Sequence, residues 1–540
     1  MPIKYLLYLK ISCCLFFFLS VVFSTTYIGN PDNYLNYRNK LIAGDTLILE
    51  PGEYFKGLHL INKNGTNNKR IVITAKIPHT AILVARSLSN TIDLKNSSNI
   101  VIEGLKFNGK HYSGIDAIKA NGSNDLDFTH NIIIENNIIE DHDGSQNTVG
   151  INTKITSWNW IIRKNLIKNS GTGIYLGDSN GEKPFIRGII ESNLIISPLG
   201  YCMQIKHQNI RPNIEGIPNE NITTIIRNNI FAKDDKESPN GNRPNLLVSG
   251  TFSKGPGSKD RYEIYGNFFY YNSREFLFQG SGNISLYNNI FVNSKQGAVN
   301  IREHHSRKPK EIFVYCNTIY KCNSGIILYN PDTEYKQIFI GNAIFTNIPF
   351  TGIKDFLNKN KIGKVANALS VFNSPSTNIL DMDFYPKKGK LNANIDLSQF
   401  TKDISFDKDF NGNLQLGKFY GVYSGEGKNT GWNLSITEKK VNICGCKSIK
   451  NTQKPAQLRF NIKGSLINII CFNIAINTIF AEIYNLKGNL IKKKCLKTEN
   501  QGDYSFILDL SKLSKGLYLV KLDYGNLYFG NRIVTVYSSY

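Results

Sequence analysis

The sequence lacks any long unbroken run of apolar residues that could span a membrane. The apolar stretch ISCCLFFFLSVVF near the start is shorter than the roughly 20 residues a membrane helix needs. Lys4 and Lys10 give this start a basic character, and Val22 and Ser24 are small enough to occupy the −3 and −1 positions before a cleavage site. We therefore expect a secretory signal peptide over residues 1–24 and no transmembrane span in the mature protein.

Acidic residues are scarce relative to basic ones. The chain has 42 Asp and Glu against 64 Lys and Arg, a formal charge of +22, and removal of Lys4 and Lys10 with the signal peptide leaves +20. Such an excess favours a polyanionic partner, which would be an acidic polysaccharide, a cell-surface polymer or nucleic acid. Lys, Asn and Ile are abundant throughout, as an AT-rich genome would also produce, so charge alone does not decide the function.

Cysteine is too sparse and irregular to predict a disulfide framework. Two of the nine cysteines, Cys13 and Cys14, belong to the predicted signal peptide. The other seven, an odd number for a disulfide framework, are Cys202, Cys316, Cys322, Cys444, Cys446, Cys471 and Cys495. The pair in Cys444-Gly-Cys446 lacks the two-residue spacer and the second pair of a structural zinc site. We expect buried thiols and no metal bound by cysteine.

A short pattern recurs through the middle of the chain. Each copy, such as NIIIENNIIED from residue 131, is a short β-branched strand, a polar corner containing asparagine and a second short strand. The corner asparagines are Asn137, Asn165, Asn193, Asn229, Asn267, Asn289, Asn317 and Asn342. Their spacing of 22 to 38 residues predicts a solenoid rather than a compact globular domain.

Stacking of the units accounts for their composition. One unit cannot bury its apolar strand faces, but units stacked about 4.8 Å apart form a continuous core of Ile, Leu, Val and Phe. Asparagine suits the corner because it tolerates left-handed backbone and can bond to its counterpart one turn away. The extra residues in the intervals of 36 and 38 must leave as loops, which usually build a binding face.

Two further segments extend the pattern toward the N-terminus. KLIAGDTLILEPGEYF at 40–55 leads a strand into a Pro-Gly turn. NIVIEGLKFNG at 99–109 contains the pattern I-x-G-hydrophobic-x-F. With the repeats, they resemble the right-handed parallel β-helix of the pectate-lyase-like superfamily. The resemblance implies an all-β fold with a β-helix over 25–350, a cap over 351–437 and a linker over 438–454. Many such helices are lyases or hydrolases of polysaccharides, and others only bind them.

Residues 455–540 change to longer alternating strands. FAEIYNLKGNLIKKKCL predicts a hairpin around Lys487-Gly488, and several such strands predict a small β-sandwich. The phrases IYNLKGNLI, LDLSKLSKGLYLVKL and GNRIVTV resemble the C-terminal sorting domain of the type IX secretion system of Bacteroidetes. This resemblance implies outer-membrane export through that machinery, followed by release or cell-surface attachment. A carbohydrate-binding sandwich is the alternative.

Charged residues recur at comparable positions in the second strand of successive units. The segments GIDAIKAN, GINTKITS, GIYLGDSN and CMQIKHQN place there Lys119, Lys154, Gly177, Asp178, Lys206 and His207. If the units stack in register, the three lysines share one side of the solenoid. Gly177 would then leave a notch between Lys154 and Lys206.

Such a cationic row suits β-elimination from an acidic polysaccharide. The reaction needs a group that neutralises the uronate carboxylate, a base for the proton next to it and an acid for the leaving oxygen, and a lysine can be the base when neighbouring cations depress its pKa. We predict Lys206 as the base, His207 as the acid or a substrate contact and Arg211 as the carboxylate clamp. The predicted substrate-binding residues are Lys154, Asp178, Trp158 and Arg302.

Carboxylates offer a second, metal-dependent possibility. Asp141 and Asp143, in the segment IEDHDGSQN, could bind calcium, the only cofactor that the sequence suggests, or act as acids in a hydrolase. A hydrolase should present paired carboxylates to its cleft, whereas this region is richer in Lys, Arg and His. His304 and His305 lie about three turns, or roughly 14 Å, from Lys206 and are expected to serve a different subsite.

The predicted function is action on an extracellular polysaccharide by a secreted protein, with lyase-type elimination of a uronate-containing glycan. A non-catalytic glycan-binding or adhesion protein of the cell surface is the alternative. We expect acidic polysaccharide and the secretion machinery as partners, and no nucleic acid. Each candidate residue also has a structural explanation: surface lysines are usually solvated, aspartates are common in loops, and Trp160 alternates with core positions, which leaves Trp158 as the surface candidate.

Overall fold

The computed structural model describes residues 24–353 and 359–439, together with strands and short stretches between 457 and 536. The predicted signal peptide before Ser24, and Cys444 and Cys446, lie outside the described residues. The chain divides into two compact units, residues 1–441 and 442–540, and the division falls within the predicted linker. Among the described residues, no helix is both long enough and apolar enough to cross a membrane.

The first unit is a parallel β-helix, which confirms the predicted fold. Its strands form three columns, called face 1, face 2 and face 3, and the chain passes through the faces in that order in each turn. Face 1 is a twelve-stranded parallel sheet. Its strands are Thr26–Gly29, Thr46–Leu49, Ile71–Ala75, Ile100–Glu103, Ile133–Glu135, Ile161–Arg163, Ile189–Glu191, Thr223–Arg227, Arg261–Tyr265, Gly282–Tyr287, Pro309–Tyr315 and Gln337–Ile340.

Faces 2 and 3 belong to one sheet of 21 strands, because two long strands run through both. Face 2 comprises Gly52–Tyr54, Ala81–Val84, Lys106–Asn108, Ile138–His142, Leu166–Ser170, Leu194–Ile196, Ile230–Ala232, Phe268–Asn272, the starts of Ile290–Ile301 and Thr318–Leu328, Ala343–Phe345 and Lys361–Gly363. Face 3 comprises Leu58–Ile61, Ile92–Lys95, Ile118–Ala120, Val149–Thr153, Thr172–Leu176, Met203–Ile205, Leu246–Val248, Phe278–Gly280, the ends of the two long strands and Ile348–Thr351.

Smaller elements complete the first unit. A short parallel sheet is formed by Ser97–Ser98, Phe128–His130, Thr156–Trp158 and Phe185–Ile186. An α-helix spans Tyr34–Arg38, and 3₁₀-helices span Val365–Ser370 and Ser398–Phe400. The strands Phe372–Ser374 and Asp383–Pro386 form an antiparallel pair.

In-register stacking produces the core. On face 1, one inward position is occupied by an aliphatic residue in nine successive strands, and every one of these side chains is fully buried. The column consists of Ile73, Ile102, Ile134, Ile162, Ile190, Ile226, Ile264, Leu286 and Val314. Burying each side chain contributes about 1.5–3 kcal/mol, so this column of aliphatic residues contributes strongly to stability.

The corner asparagines form a buried ladder between faces 1 and 2. Each donates its side-chain amide to the Oδ1 atom of the next asparagine at 2.9–3.1 Å, from Asn137 to Asn360. The predicted bonding between turns is confirmed, but the predicted left-handed backbone is not at these asparagines. It lies one residue earlier, for example at Lys164 and Ser192, with φ of 54° and 55°. The preceding residue makes the turn, and the asparagine points inward.

Replacing Asn229 by alanine should lower the free energy of unfolding by about 3 kcal/mol. Its Oδ1 accepts from the backbone and side chain of Asn193, and its Nδ2 donates to the carbonyl of Ile190, so the substitution leaves buried polar groups without partners. Denaturant unfolding measures the change. Exposed Asn347 is the control, because its replacement by alanine should cost less than about 0.5 kcal/mol. Equal losses in both variants would contradict the ladder's role.

Residues 359–439, most of the predicted cap, lie along the flank of the solenoid. Phe372, Phe384 and Tyr423 belong to one apolar cluster with outward side chains of face 2, including Phe268. On face 1, three outward tyrosines stack in a row, and Phe400 stacks on the last of them with ring centroids 3.9 Å apart. The contacts of this segment therefore cover faces 1 and 2 in the C-terminal half of the β-helix.

Three cysteines of the first unit are buried thiols, as predicted. Cys202, Cys316 and Cys322 are not in disulfides, and burial raises the pKa of each thiol to about 12. Such thiols are protonated and unreactive at neutral pH.

The second unit contains two antiparallel sheets. One has the strands Gln457–Lys463, Leu466–Ile474 and Gly502–Asp509. The other has Leu490–Lys497, Thr478–Asn485, Gly516–Tyr524 and Leu527–Val536. Strands Thr478–Asn485 and Leu490–Lys497 pair antiparallel on either side of the predicted hairpin turn. The packing of the two sheets into a sandwich stays a prediction.

Candidate functional site

Two rows of polar side chains run along the outside of face 3, and we call them the polar rows. The first row is in register through His59, Asp93, Lys119, Asn152, Tyr175 and Gln204. The second row lies two residues later in each strand and contains Lys154, Gly177, Lys206, Ser249, Ser281 and Arg302. Neighbouring positions are about 4.8 Å apart, which is the ordinary spacing of paired strands.

The predicted lysine alignment is correct for two of its three members. Lys154 and Lys206 do flank Gly177 in the second polar row, but Lys119 aligns with Asn152 in the first. Gly177 has φ of +87°, and a Cβ atom there would lie 3.4 Å from the Cβ of Lys206. Gly177 is buried and its left-handed backbone conformation favours glycine, whereas the notch stays a prediction.

Lys154 is a half-buried amine held over an aromatic ring. Its Nζ atom lies 3.5 Å from the centroid of the Tyr175 ring. Burial, assisted by the charges of Lys119 and Lys206 and opposed by Asp116 and Asp178, lowers the pKa of Lys154 to about 8. A lysine with this pKa has a substantial neutral fraction near neutral pH, as a general base requires.

Lys206 lies deeper than Lys154. Only 8% of it is exposed, its Nζ atom lies 3.3 Å from Nε2 of His305, and burial lowers its pKa. The expected separation of about 14 Å between Lys206 and His305 was wrong. The tight turn His304–Arg307 folds back across the strands, and Arg307 fixes it by donating to Oδ1 of Asn209 at 2.7 Å.

Three imidazoles cluster around Lys206. The ring of His305 stacks on that of His207 with centroids 4.2 Å apart and meets that of His304 edge-on at 4.3 Å. Burial, reinforced by His305, lowers the pKa values of His207 and His304 to about 4, so both are neutral at pH 7. Nε2 of His207 bonds to the carbonyl of Asn180 at 3.0 Å. A buried neutral imidazole is a poor proton donor, and this disfavours the predicted acid role of His207.

Arg211 is not a carboxylate clamp for a ligand. Its side chain is 3% exposed, forms an ion pair with Asp260 and donates to the carbonyls of Pro218 and Glu220. Burial raises the pKa of Asp260, although Arg211 opposes that shift. The prediction was wrong because the loop after Lys206 folds inward and uses the guanidinium to hold its own backbone.

The predicted calcium ligands point to separate partners. Asp143 pairs with Nδ1 of His111 at 2.6 Å, whereas Asp141 accepts a hydrogen bond from Asn169 at 3.2 Å. His142 between them is fully buried and bonds to the carbonyl of Ile115. Residues 24–353 and 359–439 contain no group of three or more His, Cys, Asp or Glu side chains suited to a metal ion. The structure thus gives the predicted metal role no support.

Trp158 is not available to stack a sugar. It is 2% exposed, stacks on His130 with centroids 4.7 Å apart and packs against Ile186 and Ile214. The surface prediction was wrong because Trp158 packs against its neighbours in the short parallel sheet and is covered by Ile214 from the loop after Lys206. Trp160 is a fully buried core residue, as predicted.

The remaining predicted substrate contacts lie along the same face as the lysines. Arg302 is exposed and shares the second polar row with Lys206. Asp178 is half-buried, and its Oδ1 atom accepts the backbone N–H of Lys183 at 3.0 Å, so it also shapes its own loop. Their contact with a substrate stays a prediction.

Two aromatic residues of this surface were missed by the sequence reasoning. Tyr175 belongs to the first polar row, and half-exposed Tyr201 has the Arg243 guanidinium 5.6 Å from its ring centroid. Burial raises the pKa values of both phenols, that of Tyr201 to about 12, so both stay protonated at neutral pH. The outward position of Tyr175 beside Gly177 was a signal that could have identified it.

Several polysaccharide-modifying enzymes of known structure are similar to this chain. The PL6 family alginate lyase AlyGC is 13% identical, with a TM-score of 0.32 over 62% of this chain and 51% of that protein, so the chain spans about half the length of AlyGC. An alginate lyase from Paenibacillus sp. str. FPU-7 is 16% identical, with a TM-score of 0.32 over 52% of this chain and 98% of that protein.

The mannuronan C-5 epimerase AlgE4 A-module of Azotobacter vinelandii is 11% identical, with a TM-score of 0.30 over 60% of this chain and 88% of that module. At these levels of similarity, the likeness to these three proteins does not establish an activity for the chain. No curated protein matches the sequence.

The C-terminal segment matches a known family. Residues 454–535 match the family described as the secretion system C-terminal sorting domain. The chain is therefore a parallel β-helix protein that carries a C-terminal secretion sorting domain.

Proposed function

We propose that the β-helix acts on a uronate-containing polysaccharide laid along the polar rows, by β-elimination. The observation that supports this most is the pair of amines on either side of Gly177, Lys154 and Lys206, both with lowered pKa values, with exposed Arg302 further along the same row. Cations in a row attract a polyanion and neutralise its carboxylates. The alginate lyases and the epimerase named above act on such polymers, which agrees with this proposal.

Lys154 suits the role of the base better than Lys206, which the sequence favoured. A larger fraction of the Lys154 residue is exposed, whereas Lys206 is nine-tenths buried beneath His305. Lys154 takes the proton next to the uronate carboxylate in this scheme, and Lys206 and Lys119 keep its pKa low. Lys206, two strands along the row from Lys154, supplies positive charge for the carboxylate as negative charge develops on it, and Arg302 lies three strands further along the row, where it can contact a more distant uronate.

Tyr175 is the proposed proton donor to the leaving oxygen. Its ring contacts the Nζ atom of Lys154, and its raised pKa keeps the hydroxyl protonated at neutral pH. An acid and a base on adjacent strands of face 3 can reach the two sides of one glycosidic linkage. The proton that Lys154 accepts is lost to solvent before the next turnover, and Tyr175 is reprotonated from solvent.

Hydrolysis by paired carboxylates fits this surface less well. Asp116 is buried, and its oxygens accept from the backbone of Val149 and the amide of Asn152 while pairing with Lys119. Asp178 is occupied in part by its own loop. The two-carboxylate mechanism requires one acid and one base facing the substrate.

Export completes the proposed function. The sorting domain directs the chain to secretion. We assign this export to the type IX system because the C-terminal motifs resemble those of its sorting domains. The exported protein is then released or attached at the cell surface. Acidic polysaccharide outside the cell is then the accessible substrate.

A non-catalytic glycan-binding protein is the second candidate. The burial of Lys206 and His207 favours it, because these two predicted catalytic groups have little contact with solvent. Both candidate functions require binding to uronate-containing glycans. Binding of the full chain to an array of neutral and uronate-containing oligosaccharides tests this requirement. We expect binding to uronate oligosaccharides only, weakened by salt. Binding to neutral sugars alone would refute uronate recognition and leave a protein that binds neutral glycans.

A further inference from the structure

A serine, a histidine and an aspartate lie in hydrogen-bonded series at the N-terminal end of the first polar row. Nδ1 of His59 lies 2.9 Å from Oδ2 of Asp93, and Nε2 of His59 lies 3.3 Å from Oγ of Ser89. His59 and Asp93 occupy neighbouring strands in register, and Ser89 ends the turn before the Asp93 strand. The elimination chemistry proposed above uses none of these three residues.

The hydrogen bonds around the cluster fix the roles of its atoms. The side-chain amide of Asn90 donates to Oδ1 of Asp93 at 2.9 Å, which leaves Oδ2 to accept Nδ1–H of His59. With its proton on Nδ1, the imidazole presents Nε2 as an acceptor to the hydroxyl of Ser89. The backbone N–H of Asp116 donates to Oδ1 of Asn90 and holds that amide in place.

The cluster is open to a ligand and carries a cation beside the serine. The side chains of His59 and Asp93 are 21% and 20% exposed, and Ser89 is half-exposed. The Arg86 guanidinium lies 3.4 Å from Oγ of Ser89, where it can stabilise negative charge on an oxygen bound to the attacked carbon. This serine therefore has a base, an orienting carboxylate and a charge stabiliser.

From this geometry, we infer that Ser89, His59 and Asp93 form a second active site, which hydrolyses small acyl esters. Oγ of Ser89 bonds to the acyl carbon while His59 takes the hydroxyl proton. The bond between the acyl carbon and the alkoxy oxygen then breaks, and His59 returns the proton to the leaving alcohol. Water attacks the acyl carbon and gives a proton to His59, the bond between that carbon and Oγ of Ser89 breaks, and His59 returns the proton to Oγ as the acid leaves.

The position of the cluster suggests where such esters are carried. Asp93 is in register with Lys119, and the strand that leads to Lys154 is two strands away, about 10 Å along the same face. An acyl group on a polysaccharide lying along the polar rows would reach Ser89. This identification of the carrier rests on the proposed function, whereas ester hydrolysis itself does not.

The test uses the full chain, an active-site-directed fluorophosphonate and p-nitrophenyl acetate. We expect one phosphonyl group per chain, located on Ser89 by peptide mass spectrometry. Ser89→Ala and His59→Asn should abolish labelling and lower the kcat/KM of ester hydrolysis by about 100-fold or more. Asp93→Asn should lower kcat with little change in KM, because Asp93 positions the imidazole and does not touch the ester.

Ser87→Ala is the matched control, because Ser87 is exposed in the same turn. It should be labelled and should hydrolyse the ester like the wild type. Circular dichroism and the melting temperature check that each variant is folded, and His59→Asn offers a second route if Ser89→Ala disturbs the turn. Absence of labelling in the wild type, or equal hydrolysis by folded Ser89→Ala, would overturn the inference. Neither outcome bears on uronate binding or elimination, which are measured separately.

Discussion

Replacing Lys154 by methionine should lower the kcat/KM of β-elimination by about 10²- to 10⁴-fold, because a general base contributes a factor of this size. Methionine preserves the length and the apolar contacts of the side chain over the Tyr175 ring but removes the amine. The rate of appearance of the unsaturated uronate product measures the change. Binding of uronate oligosaccharides should persist in this variant, because Arg302 and Lys206 still supply positive charge.

The pH dependence of the wild-type enzyme gives an independent check on Lys154. The base acts when neutral, and the pKa of Lys154 is about 8. The kcat/KM should therefore rise as the pH increases from 6 and level off above about 8. A flat profile over this range would exclude Lys154 as the base.

Lys168→Met is the matched control for the charge change. Lys168 lies on face 2 of the same turn as Tyr175 and pairs with Glu140 at 2.9 Å. This partly exposed pair contributes at most about 1 kcal/mol, and kcat/KM should stay within about twofold of wild type. A loss as large as that of Lys154→Met would show that net charge, and not the position of the amine, governs the rate.

Replacing Arg211 by methionine should lower the free energy of unfolding by about 3–5 kcal/mol. The substitution leaves Asp260 buried without its partner cation and deprives the carbonyls of Pro218 and Glu220 of a donor. Denaturant unfolding of the full chain, monitored by a signal from the β-helix, measures the loss. The KM for a uronate polymer should not change, because Arg211 is buried away from the polar rows.

The double variant Arg211→Met with Asp260→Leu separates this account from loss of a substrate clamp. Removing both charges replaces a buried ion pair with apolar groups, and this should restore most of the lost stability. A clamp would instead show a large increase in KM in both variants. Such an increase, with stability unchanged, would return Arg211 to the binding site.

The sequence predicted the parts of the fold that repeat. Each strand and each ladder asparagine is specified by its own unit and its two neighbours, so the spacing of Asn137 and its successors was enough to identify the solenoid. The sequence did not reveal that the left-handed backbone lies at the residue before each ladder asparagine and not at the asparagine itself. Lysine, serine and cysteine also occupy that earlier position, and their residue types give no signal of a positive φ.

The candidate site could be predicted only where it follows the register. Lys154, Gly177 and Lys206 were aligned correctly because they belong to successive strands. His305 was placed too far from Lys206 because that distance was calculated from strand spacing. The His304–Arg307 turn leaves the sheet and folds back across several strands, so strand spacing does not apply to it. Arg211 and Trp158 were assigned to the surface because the course of the loop after Lys206 depends on partners such as Asp260 that are distant in sequence.

The central claim is that the polar rows of face 3 carry out β-elimination on a uronate polymer. The most direct test is to incubate the full chain with a panel of uronate-containing polysaccharides, with and without calcium, and to follow the ultraviolet absorbance of unsaturated uronate ends. We expect product from at least one polymer, confirmed by the mass of an unsaturated oligosaccharide and absent with Lys154→Met. Absence of unsaturated product from every polymer, from a chain that binds uronate oligosaccharides, would contradict the lyase claim and leave a binding protein.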